Sequence, residues 1–189
     1  MTVPLAPGDL LIASPGLGDP NFRRAVIVLC DHGPEGSLGL ILNRPMEVPL
    51  GSVLPALSGG PAGEERVLQG GPVENGRLLG LRRGAAPEEA VEEVGRDLHL
   101  LVDLEGSLRR LEAGDGDPSD YRFFLGYSGW GEEQLAREIE QGAWVVARGG
   151  ASAELAFESD SRRMWRDALR RLGGSAAWFA EMPIDPRMN

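Results

Sequence analysis

What most constrains this chain is a series of short apolar runs, several so uniformly apolar that neither face of a strand is left for water. Ala25–Cys30 reads Ala-Val-Ile-Val-Leu-Cys. Leu10–Ala13, Leu38–Leu42, Arg66–Gln69, Arg77–Leu81, Leu98–Val102, Arg122–Tyr127 and Ala143–Ala147 share its enrichment in β-branched, aliphatic or aromatic residues. Runs of this kind, bounded by turn-forming residues, read as strands. A half-exposed strand alternates apolar with polar, whereas these runs require a central sheet covered on both faces.

Helices cover such a sheet, and three are well signalled. Asp103 is placed to cap a helix carrying Leu104, Leu108 and Leu111 on one stripe, with Gly114 past its end. A second is expected from about Glu132 to Gln141, with Leu135 and Ile139 four apart and acids in its first turn. The strongest begins at Ser161, carries Met164, Trp165, Ala168, Leu169 and Leu172 inward, and stops at Gly173-Gly174. Weaker helical pieces are expected over Pro49–Leu57 and Pro87–Val94. Strands cluster early and clear helices late, without regular βα alternation, so the fold class is α+β. With no repeat and no long linker, residues 1–189 read as a single domain.

Composition limits the function classes. No apolar run approaches the roughly 20 residues that span a bilayer, and the N-terminus lacks the basic and apolar regions of a secretory signal. The cytoplasm is the expected location, with no membrane partner. The single cysteine, Cys30, excludes an internal disulfide, and with only two histidines a structural zinc cage is not expected. No metal and no cofactor is assigned. The net charge of −10 opposes binding to phosphate backbones, so direct nucleic-acid binding is not expected, although a local basic patch can override a global field. All 19 basic residues counted as Lys or Arg are arginine, which fits either a GC-rich coding bias or selection for ion-pair networks.

Several motifs are tested and set aside. Gly16-Leu17-Gly18 lacks the third glycine of a dinucleotide loop and runs into Pro20, so it reads as a turn. Gly126-Tyr127-Ser128-Gly129-Trp130 resembles a nucleophile elbow, but Trp130 stands where the elbow needs glycine and both histidines precede the serine. Asp115, Asp117 and Asp120 open like a calcium loop without its glycine or its closing glutamate. Gly70-Gly71 is placed either to converge N–H groups on an anion or simply to make a tight turn, and the turn is favoured. Cys30-Asp31-His32 carries two readings. On a regular strand residues 30 and 32 share a face, and an imidazolium beside the thiol would make a reactive thiolate. Alternatively Cys30 ends the apolar run as a buried hydrophobe, with His32 capping a turn. The lack of a third orienting group favours the second.

Taken in order, these segments resemble the YqgE/AlgH family. The family's G-x-L-L-I-A-x-P stretch is matched by Gly8 to Pro15, and its D-P-x-F by Asp19 to Phe22. The C-x-H strand end is matched by Cys30 and His32, G-L-x-x-N-R-P by Gly39 to Pro45, and G-G-P-V by Gly70 to Val73. L-G-Y-x-G-W-G is matched by Leu125 to Gly131, Q-L by Gln134-Leu135, A-W by Ala143-Trp144, and W-x-x-A-L-x-x-L-G by Trp165 to Gly173. Two departures stand out. Arg77 to Arg82 replaces a usual R-G-F-V-L-H, which removes a histidine, and Glu132-Glu133 replaces P-G, which is expected to lengthen the following helix. The resemblance implies a compact α+β fold on a mixed or mostly antiparallel sheet. It implies no enzyme activity, and the regulator label carried by one branch finds no DNA-reading element in this chain.

Two function classes remain. One is a binding or regulatory protein, for an unknown small ligand or protein partner, with a groove lined by Asn43, Arg44, Gly70, Gly71, Tyr127 and Trp130. Against it stands the plain reading that Asn43-Arg44-Pro45 ends a strand and Trp130 is core. The other class is a cysteine-dependent enzyme using Cys30 and His32.

Overall fold

The apolar runs pair into one sheet. In this computed structural model, which describes residues 4–84 and 91–182, the strands are β1 (Leu10–Ala13), β2 (Val26–Gly33), β3 (Gly36–Ile41), β4 (Pro45–Pro49) and β5 (Arg66–Gln69). They continue as β6 (Val73–Arg83), β7 (Val91–Gly95), β8 (Leu98–Leu101), β9 (Tyr121–Gly131) and β10 (Trp144–Ala147). The order is β10-β1-β2-β3-β9-β6-β8-β7. Pairing is antiparallel except where β5, itself beside β4, lies parallel to β9. Both β3 and β5 therefore line one edge of β9, β3 against Ser128–Gly131 and β5 against Phe124 and Leu125. The α+β class with a mostly antiparallel sheet is what the chain adopts.

The helices are α1 (Leu50–Val53), α2 (Pro61–Glu64), α3 (Leu104–Ala113), α4 (Gln134–Glu140), α5 (Ala153–Glu158), α6 (Ser161–Leu172) and α7 (Gly174–Ala180). Alternate residues of each central strand enter different cores, so the sheet is covered on both faces. Leu10, Ile12, Val26, Val28 and Cys30 pack with Met164, Trp165, Ala168 and Leu169 of α6. Leu11, Ala13, Ile27, Leu29 and Ile41 pack on the other side with Trp130, Leu135 and Trp144. A third cluster joins Leu50, Leu57, Val67, Leu111, Tyr121 and Phe123 under α1 to α3. Trp165 is 2% exposed, and its indole N–H donates to the Ala13 carbonyl at 2.8 Å, so the buried ring leaves no donor unsatisfied.

Helix ends follow their capping residues. The Asp103 side chain accepts from the Gly106 N–H, and Gly114 closes α3 at φ +81°. Three expectations are corrected. Residues 91–94, read as helix, belong to β7, because Val91, Glu92, Glu93 and Gly95 pair against β8 in a strand register; residues 87–90 of that expected helix lie outside the described residues. The helix expected from Glu132 begins at Gln134, since β9 runs on to Gly131 and Glu133 sits at φ +53°; Glu132-Glu133 lengthens no helix. Leu172, expected inward with the rest of α6, is 41% exposed at the helix end. Among the described residues, no helix is long and apolar enough to cross a membrane.

Candidate functional site

The residues expected to share one groove occupy three different environments. Asn43 follows β3, and both ends of its amide are used: Oδ1 accepts the Val26 N–H at 3.0 Å and Nδ2 donates to the Arg24 carbonyl at 2.9 Å. The side chain thus ties the start of β2 to the end of β3. Arg44 follows and donates from Nη2 to the Arg23 carbonyl. Asn43 and Arg44 line a cleft of about 290 Å³ with Arg24, Ser161, Arg162 and Trp165. The sequence reading missed this half of the lining, because residues 24, 44 and 162 meet only once α6 docks on the sheet.

Gly70 and Gly71 serve close backbone approach. A Cβ on Gly70 would collide with the Gly126 carbonyl, and one on Gly71 with the main chain of Tyr127 and Ser128. The Gly70 N–H is spent on the Leu125 carbonyl at 2.9 Å, and its carbonyl accepts from Ile41 N–H and the Ser128 hydroxyl. The pair lets the chain pass between β3 and β9 where any side chain would block it, and Ser128, fully buried, is part of that junction. Similarly, Asp117 caps a short helical turn and Asp120 pairs with Arg83 at 2.9 Å, which accounts for two of the three aspartates that suggested a calcium loop.

Tyr127 and Trp130 border an open groove of about 810 Å³ beside the β2–β3 hairpin, with Asp31, Glu35, Leu38 and Val73. Tyr127 is half-buried, its hydroxyl donating to Glu74 at 3.3 Å and its ring 5.6 Å from the Arg77 guanidinium. Trp130 is mainly core, only 5% exposed. Its ring packs on Phe22 and edge-on to Trp144, and its N–H donates to Glu138 Oε2 at 2.9 Å. The same oxygen accepts the Trp144 N–H at 2.8 Å. Glu138 was not singled out from the sequence, since its role depends on α4 lying across both indoles.

Cys30 and His32 are not brought together. Leu29 pairs with Gly39 but Asp31 with Leu38, so Cys30 is the extra residue of a β-bulge. A bulge shifts the alternation by one. Cys30 and Asp31 therefore lie on the α6 side of the sheet, and His32, paired with Ser37, lies on the other. The expectation that residues 30 and 32 share a face holds only for a regular strand and is corrected here. The thiol contacts the Val28 carbonyl at 3.7 Å, while His32 Nδ1 shares a 2.8 Å hydrogen bond with Ser37 Oγ across the hairpin. Burial, reinforced by the Asp31 carboxylate, raises the thiol pKa far above its ordinary value.

Comparison with known proteins agrees with this architecture. The AlgH-like family description matches residues 10–177. A UPF0301 protein of Chlorobaculum tepidum is 41% identical over 186 residues, covering 98% of this chain and 96% of that protein. One from Streptomyces coelicolor is 42% identical over 193 residues, covering 96% and 94%. Among solved structures, the solution structure of the Pseudomonas aeruginosa AlgH protein aligns with a TM-score of 0.73 at 28% identity, covering 97% of each chain. The crystal structure of a Corynebacterium diphtheriae protein aligns at 0.78 over 96% of this chain and 95% of that one, and at 24% identity it speaks to the fold alone. With the motif order, the fold and these matches in hand, the chain belongs to the YqgE/AlgH family of AlgH-like bacterial proteins.

Proposed function

We propose that this is a cytoplasmic binding protein of regulatory type that works without catalysis. The observation that carries this reading is the bulge at Cys30, which puts thiol and imidazole on opposite faces of the sheet and removes the pairing a cysteine enzyme needs. By contrast, Asn43 and Arg44 line one open cleft and Tyr127 borders another, both accessible to a ligand. Regulation exerted by such a protein runs through a small ligand or a protein partner. Direct DNA reading is opposed by the net charge of −10.

Thiol labelling tests the reading. Native protein should react far more slowly than unfolded protein, and His32→Ala should leave the native rate unchanged. Fast native labelling with a midpoint below about pH 7, abolished by His32→Ala, would overturn it in favour of a cysteine enzyme.

A further inference from the structure

Most arginines on this surface are neutralised. Arg66, Arg83, Arg122, Arg148 and Arg170 each pair with a carboxylate. Around the cleft between the start of β2 and the first turn of α6, the pattern reverses. Arg24, Arg44 and Arg162 line it, Arg23 and Arg166 flank it, and no carboxylate is among its described lining residues. Among the described residues none of these five forms an ion pair, in a chain that carries 29 acidic residues. Two acids close by in the fold are otherwise engaged. The Asp160 side chain accepts the Arg162 N–H at 2.9 Å, which also caps the helix, and Glu181, which lies near Arg166, is held by Arg170 at 2.7 Å. The positive character of the cleft therefore comes from side chains, not from a free helix end.

Two of the guanidinium groups are fixed in advance. Arg24 lies over the Trp165 ring, 4.5 Å from its centroid, and donates to the Met182 carbonyl at 2.7 Å. Its backbone stands at φ +53°, a conformation non-glycine residues rarely adopt, and Asn43 holds its carbonyl there. Arg44 is anchored on the Arg23 carbonyl. Each is tied by a neutral main-chain acceptor and keeps its full charge. Burial and a neighbouring arginine, Arg166 for Arg24 and Arg23 for Arg44, lower both pKa values, the mark of cations crowded without a counter-ion.

We propose that this cleft binds the phosphoryl group of a small soluble molecule, gripped by Arg24, Arg44 and Arg162 with the Ser161 hydroxyl in its wall. The planar guanidinium fork matches phosphate oxygens bidentately, and three such cations lining one cleft favour a multiply charged tetrahedral anion over a single carboxylate. A space of about 290 Å³ holds a phosphoryl group and a small remainder of its carrier. A long polyanion would meet the acidic remainder of the surface, so a nucleic acid or an anionic membrane is the less favoured source of the phosphate. The proposal deepens the binding reading above and rests on it.

The test is titration of the full chain with inorganic pyrophosphate, followed by calorimetry and by backbone amide shifts. Saturable binding is expected, with shifts centred on Arg24, Asn43, Arg44 and Ser161 to Trp165. Arg44→Gln and Arg162→Gln should each weaken it roughly tenfold, the loss of one charge-assisted contact. Both variants should keep the wild-type melting temperature without ligand; should Arg44→Gln fail to fold, Arg162→Gln at the exposed face of α6 carries the test. Gel shifts with duplex DNA and sedimentation with phosphatidylcholine vesicles containing phosphatidic acid run alongside. Absence of saturation by pyrophosphate, binding indifferent to both variants, or binding only to DNA or to vesicles would each overturn the proposal. Failure here with slow thiol labelling removes the phosphoryl ligand alone, whereas fast labelling removes the binding reading itself.

Discussion

The two clefts use the same kind of anchor for a tryptophan and end with opposite character. Beside the hairpin groove, the Trp130 N–H meets a carboxylate, Glu138, which also takes the Trp144 N–H. Under the arginine cleft, the Trp165 N–H meets a main-chain carbonyl, that of Ala13. In the first case one charged acceptor is consumed inside the aromatic cluster, and the groove in front presents Asp31 and Glu35. In the second the acceptor is neutral, and the indole face carries the Arg24 guanidinium. The two ring faces differ in what covers them, since Phe22 stacks on Trp130 whereas Trp165 carries the Arg24 guanidinium.

That contrast can be broken from either side. Trp165→Ala has the largest expected effect, a loss of about 3–5 kcal/mol, because it empties the centre of the α6 core and unseats Arg24 together. A loss below about 1 kcal/mol in denaturant melts would mean that α6 does not depend on this ring. Glu138→Ala should cost about 2 kcal/mol by leaving two indole N–H groups without an acceptor, and Glu138→Gln, which keeps an oxygen there, distinctly less. Equal costs for the two would show that the charge of Glu138, not its position, holds the aromatic cluster.

Cys30 sharpens the comparison through pH. Its thiol pKa is raised by burial and by Asp31, which belongs to the acidic groove. The unfolded chain releases the thiol proton first, near about pH 8.5, while the folded chain keeps it. Stability due to this site is complete below that pH and declines above it. Wild type should lose ground to Cys30→Ala at up to about 1.4 kcal/mol per pH unit above about pH 9. Parallel curves for the two proteins would show the thiol to be freely ionisable in the fold. Smallest of all, Arg162→Gln should change stability by less than about 0.5 kcal/mol, since this exposed residue makes no ion pair among the described residues.

The strands and the α6 helix were legible because their signals are local. Uniform apolar runs identify covered strands, and Ser161 to Gly173 carries spacing, caps and stop within one segment. The family's motif order was equally legible, being a property of the string itself. The site was not. Whether residues 30 and 32 share a face depends on a bulge set by the register of β3, in which Gly39 opposes Leu29 while Leu38 opposes Asp31. A Cβ on Gly39 would meet Ile27 and the Trp130 ring, so that register is fixed by packing from two other strands. Likewise Asn43 and Arg44 point to a strand end in sequence, but their companions Arg24 and Arg162 arrive through docking of a distant helix. Trp130 and Tyr127, three residues apart on one strand, point to opposite faces of the sheet, Trp130 into the cluster with Phe22 and Trp144 and Tyr127 onto the α6-side core.

The pairing of β1 with β10 has a consequence for how the chain comes into being. Leu10 lies opposite Ala147 and Ala13 opposite Trp144, so the first strand to leave the ribosome waits for one of the last. During synthesis the outer edge of β1 offers its N–H and C=O groups to any passing strand, and the apolar segment Leu10–Ala13 carries no charge to discourage one. Contacts between such distant segments also slow folding, because the loop must close before the contact stabilises anything. Nascent chains truncated before Trp144 should therefore be the aggregation-prone species, and release of the finished α6, whose Trp165 bonds to Ala13, marks the point at which that hazard ends.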